Sequence, residues 1–171
     1  MPSSAYPPVH MFVLGIDPGL TRTGYGLVRR DRGLRAVAAG VIATDPGVPM
    51  PVRLRELHQD LSSVIADHAP DVMAIERIFT NRNLQTAVAV GRASGVALLA
   101  AGQAGLDVVE YSPTAIKAAI AGDGRASKKA VAAMVARRLR LEMVGGPADV
   151  ADALAVAMCH LQSMRTTAAG R

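Results

Sequence analysis

The chain alternates short apolar runs with longer amphipathic ones, and the change of period marks out its elements. Met11-Phe12-Val13-Leu14 begins an apolar run that predicts a strand over about 11–17, closed by a Pro18-Gly19 turn. Thr23–Val28 predicts a second strand, and Leu34–Ala43 a third, after the turn signal Asp31-Arg32-Gly33. Connections this short imply an antiparallel meander, because parallel neighbours need a long crossover. After the loop Asp45–Pro49, the residues Leu54, Leu57, Leu61 and Val64-Ile65 recur with helical period over about 50–68. Ala69-Pro70-Asp71 ends that helix, and Val72–Glu76 predicts a fourth strand. A long Ala-, Gly- and Val-rich helix follows over about 82–104, then a fifth strand over Asp107–Tyr111. Ser112-Pro113 starts a short helix to about 121. Ser127 can cap a basic helix to about 140, and Gly145-Gly146-Pro147 precedes a final helix over 148–164.

The order β-β-β-α-β-α-β-α-α-α predicts an α/β fold: a five-stranded mixed sheet, three antiparallel strands followed by βαβ units, with helices on both faces. Residues 1–10 are Pro/Ser-rich and lack any amphipathic pattern, so they are expected to be a flexible leader; 11–165 form one domain and 166–171 a flexible tail. With 50% hydrophobic residues but 3% aromatic ones, the core has to be built from Ala, Val, Leu, Ile and Met. Cys159 is the single cysteine, which excludes an intramolecular disulfide and a Cys-rich zinc site; it reads as a small buried apolar residue. No secretory h-region and no membrane-length apolar stretch is read in the chain, so the expectation is a cytoplasmic protein with no membrane partner.

Four carboxylates change the picture. Asp17 ends the first strand and Glu76 the fourth, while Asp149 and Asp152 stand one turn apart on one face of the last helix. An acid at the end of a buried strand is costly unless it is paired or binds a metal. Each has an ordinary reading as well: Asp-Pro-Gly is a turn signal, Arg77 could pair with Glu76, and acids in a first turn complement the helix dipole. Jointly they suggest hard oxygen ligands for Mg²⁺ or Mn²⁺. Gly19 and Gly24 allow close backbone approach and positive φ, which serves either a nucleic-acid backbone or a tight hairpin.

Charge supports a polyanionic partner: 19 Lys and Arg against 14 Asp and Glu give a net charge of +5. Arg77-Ile78-Phe79-Thr80-Asn81-Arg82-Asn83 is a basic loop with one aromatic, suited to stacking on a base unless Phe79 folds into the core. Lys117 and Lys128 flank the Gly122-Asp123-Gly124 loop and are candidate phosphate contacts. His68 and His160 lack ligand-like spacing and read as structural.

GIDPGLTRTGYG at 15–26, AIERIF at 74–79, VGRASG at 90–95 and PADVADALAVAMCH at 147–160 resemble the RuvC family of Holliday-junction resolvases, with its ribonuclease H-like fold. The resemblance spans about 11–165. It implies two divalent metals per subunit, Mg²⁺ with Mn²⁺ as a substitute, held by Asp17, Glu76, Asp149 and Asp152. It also implies a base-contacting Phe79 beside Arg77 and Arg82, and DNA-binding Lys117 and Lys128. Four-way junction DNA would be cut twice, symmetrically, by a homodimer, in recombination and repair with RuvA and RuvB. The helix at about 82–104 is where two copies are expected to pair, because Ala87, Ala89, Gly91, Ala93, Gly95, Ala97 and Ala101 make it small and apolar around much of its circumference. Alternatives are another ribonuclease H-like nuclease or transposase-like core, and a non-catalytic DNA-binding module. GID-x-G also begins actin-like ATPases and sugar kinases, whose second lobe 171 residues cannot supply.

Overall fold

The computed structural model describes residues 10–77 and 83–169, with side chains described as far as Met164. The expected element order is present: β1 Met11–Asp17, β2 Arg22–Arg30, β3 Leu34–Ala43, α1 Met50–His68, β4 Val72–Glu76, α2 Leu84–Gln103, β5 Asp107–Tyr111, α3 Pro113–Ala121, α4 Lys128–Leu139 and α5 Ala148–Ala169. α5 continues past the expected 164, since no Gly or Pro interrupts it before Ala169. Ser112 and Ser127 cap α3 and α4, accepting from the backbone N–H of Ala115 and Ala130 at 3.1 Å.

The five strands form one sheet in the order β3-β2-β1-β4-β5. β1–β2 and β2–β3 pair antiparallel, and β4 pairs parallel with both β1 and β5. The central strands β1 and β4 are buried on both faces, which accounts for their continuous apolar runs. On one face, Phe12, Leu14, Ile16, Met73 and Ile75 meet α1 and α2; on the other, Val13, Val28, Val72 and Ala74 meet α3, α4 and α5.

Three details depart from the sequence pattern. α1 buries Arg53, Leu57, Leu61 and Ile65, so an arginine occupies the inward stripe and Leu54 lies beside it. α5 docks by more than Leu154, Met158 and Leu161: from Val150 to Leu161 only Asp152 is not buried, because α3 and α4 cover the side away from the sheet. α2 is long and apolar enough to cross a membrane, with Arg92 as its one charged residue, contrary to the expectation of no such stretch. Its alanines 93, 97, 100 and 101 are nevertheless packed in the core.

Candidate active site

The parallel register places Ile16 of β1 opposite Ile75 of β4. The residues that follow, Asp17 and Glu76, therefore end adjacent strands side by side. Ile16 and Ile75 face the α1–α2 layer, so the period of two turns both acids toward α5.

The first turn of α5 reaches them because the sheet beneath it lacks side chains. A Cβ on Gly24 would lie 2.2 Å from the carbonyl oxygen of Asp149, and one on Gly15 would lie 2.1 Å from that of Ala153. This corrects the roles expected of the glycines. Gly24 makes room for the acid-bearing helix rather than for nucleic acid, Gly19 lies tight against the Arg22 carbonyl, and neither has positive φ.

Asp17, Glu76, Asp149 and Asp152 line one cavity of about 280 Å³, together with Arg22, Lys117 and Lys128. Burial pushes the Asp17 carboxyl up to about 8, helped by the charge of Glu76, by a hydrogen bond to Glu76 and by Asp152; Lys128 opposes the rise. Burial beside a second carboxylate thus favours the protonated form of Asp17, which can share its proton in the hydrogen bond with Glu76.

Two cations compensate the remaining acids. Lys128 Nζ donates to Asp152 Oδ2 at 2.7 Å, and that bond chiefly raises the lysine pKa. Arg22 Nε donates to Asp149 Oδ2 at 2.9 Å. Among the described residues, no three acids, histidines or cysteines converge closely enough to hold an ion as they stand.

Other expected residues fall as follows. Lys117 lines the cavity without an acid partner among the described residues. Lys128 is engaged by Asp152 rather than free for a phosphate. Arg77 points to Glu110, at 3.7 Å in an exposed pair of little energetic weight. Phe79 and Arg82 lie outside the described residues. Cys159 is buried and its thiol is pushed up to about 11 by that burial, consistent with a packing role. His160 is buried, with Nδ1 hydrogen-bonded to the Tyr111 hydroxyl at 2.8 Å. Sequence reasoning missed Arg22; the signal was a cation five residues after Asp17, across the turn.

A mixed sheet of this order, with acids at the ends of neighbouring central strands and on the helix crossing them, has the ribonuclease H-like arrangement that the sequence leads one to expect. Residues 13–160 match the model of the family described as crossover junction endodeoxyribonuclease RuvC. The RuvC endonuclease of Chloroflexus aggregans is 48% identical over 157 residues, covering 91% of this chain and 96% of that one. That of Syntrophomonas wolfei is 46% identical over 156 residues, 91% of each chain. The structure of T. thermophilus RuvC in complex with Holliday junction substrate matches with a TM-score of 0.86 at 38% identity, covering 92% of this chain and 96% of that one. The chain belongs to the RuvC family of crossover junction endodeoxyribonucleases, and is accordingly a nuclease of the hydrolase class.

Proposed function

We propose that this nuclease resolves four-way (Holliday) DNA junctions in recombination and repair, with Asp17, Glu76, Asp149 and Asp152 as the ligands of two Mg²⁺ ions per subunit. The observation that carries the reading is that all four carboxylates line one cavity, buried and crowded enough to raise the Asp17 pKa. That excess of negative charge, offset by an ammonium and a guanidinium, fits a hard divalent cation. Mn²⁺ has the same ligand preference and should substitute. When bound, such ions lower the pKa of water and stabilise charge on the oxygens of a phosphodiester in displacement.

The chain's own residues supply the rest. Asp17 must release its proton before it can act as a ligand, so loading is linked to pH. Lys128 and Arg22 hold Asp152 and Asp149 in place, and would be available to a phosphate wherever those acids served as metal ligands. Lys117, with no acid partner among the described residues, contacts the backbone directly. Arg77 and Arg82 extend that contact, and Phe79 stacks on a distorted base near the crossover.

Two symmetric cuts need two sites, which a homodimer provides. α2 supports this role: Leu98 and Leu99, toward its C-terminal end, are exposed on the side of the helix opposite its buried alanines. Partnership with a RuvA–RuvB branch-migration complex and a cytoplasmic location complete the reading. The decisive experiment offers a synthetic four-way junction and a linear duplex of the same sequence, with Mg²⁺, and maps the cuts. Paired symmetric nicks in the junction are expected; equal cutting of the duplex, or none of either, overturns the proposal.

A further inference from the structure

Beside the acid cavity lies a second cleft, of about 760 Å³, that shares Gly19, Arg22 and Val90 with it. Its charged lining is entirely basic among the described residues: Arg22, Arg53 and Arg92. Arg22 is committed to Asp149. The other two have no carboxylate partner among the described residues.

Arg53 is the unusual one. It occupies the inward stripe of α1 and is only 7% exposed. Its Nε donates to Thr44 Oγ1 and its Nη2 to Thr21 Oγ1, both at 3.0 Å. The Thr44 hydroxyl in turn donates to the Leu20 carbonyl at 2.6 Å, so this arginine braces the turn between Asp17 and Arg22. Among the described residues Nη1 has no hydrogen-bond partner, it is not fully enclosed, and Arg53 lines the cleft. A buried cation without a counterion is costly, and an anion in the cleft relieves that cost. On the opposite wall, α2 begins with no acid in its first turn, so its dipole adds positive potential.

We propose that this arginine cleft binds a phosphodiester of the substrate strand next to the one cut at the acid site, with Arg53 and Arg92 as its donors. The inference rests on the junction-cutting reading and adds a binding site to it. A guanidinium braced by two threonines presents its remaining donors in a fixed plane, the geometry that recognises phosphate. Occupancy of the cleft aligns the strand across the acids, because both sites meet at the Gly19–Arg22 turn.

The test uses the full chain in an Asp17→Asn background to prevent cutting, and junctions carrying a single neutral methylphosphonate at successive positions around the cut. In the parent, one position adjacent to the scissile phosphate should lower affinity about tenfold. In Arg92→Ala, an exposed change that leaves the core untouched, the same position should matter less. The salt dependence of binding should also lose about one counterion. Arg53→Lys, which keeps the charge but not the fork, should blunt the same position without altering the others. Identical interference profiles and salt slopes in parent and variants overturn the cleft while leaving junction binding intact. If Arg92→Ala instead weakens self-association at unchanged slope, a second copy covers the cleft and the proposal fails. If the parent shows no junction binding, the functional reading falls and this inference with it.

Discussion

The two longest helices are finished in opposite ways. α5 is enclosed on nearly every side between Val150 and Leu161, lowered onto β1 and β2 at Gly15 and Gly24. α2 buries an edge of four alanines and leaves Leu84 at 77% and Leu99 at 54% exposure. The first needs no partner and can hold two carboxylates in register with two strand ends. The second is apolar on a side that its own subunit does not cover, which is the condition for assembly. The proposed chemistry thus sits on the part of the fold with least freedom, and the proposed association on the part with most uncovered apolar surface.

The strongest way to break this division is at the strand end beneath α5. Asp17→Asn should lower cleavage by at least the order of 10²–10³ while junction binding persists. It should also stabilise the metal-free protein. The raised pKa means that the folded state keeps a proton that the unfolded chain has lost. Parent stability therefore falls as pH rises from about 4 to about 8 and levels off above that. The asparagine variant lacks this slope, so its advantage in urea unfolding should grow over that window. Equal slopes for the two proteins would show that Asp17 is not held protonated.

On α2, Leu99→Glu places like charges on the proposed contact of two copies. A dimer at micromolar concentration should become a monomer in sedimentation, with stability within about 0.5 kcal/mol of the parent, as for a surface change. A dimer as tight as the parent's would move the contact away from this helix.

Gly24→Ala sharpens the comparison from the side of α5. The added methyl meets the Asp149 carbonyl, which belongs to backbone and cannot swing away. Overpacking of this kind costs about 1–3 kcal/mol. Cutting should fall more than binding, because the displaced turn carries Asp149 and Asp152. A variant with parental melting and cutting would show that α5 has more freedom than its packing implies.

The smallest effect is expected at Lys117. Its replacement by Ala should weaken binding to all junction sequences alike and reduce the salt slope by about one. Lys128→Ala should differ, since its ammonium is bonded to Asp152. Its loss leaves an uncompensated acid, and so should change metal loading as well as affinity.

Period and punctuation alone determined the element order. Runs of four to six apolar residues marked β1 and β4 because both their faces are covered, and Ser112 and Ser127 marked helix starts because short hydroxyl side chains satisfy free backbone N–H groups. The four acids stood out because each interrupts or borders an apolar segment. Tertiary structure decided what periodicity cannot carry, namely which buried face meets which. Arg22 finds Asp149 across 127 residues, and Lys128 finds Asp152 rather than standing free. Gly24 proved to be a seat for a helix because the atom above it comes from the other end of the chain. Arg53 sits on a stripe that reads as core by spacing and as surface by chemistry. Only the threonines that the fold brings to it reconcile the two, since hydrogen bonds between distant segments leave no period in a sequence.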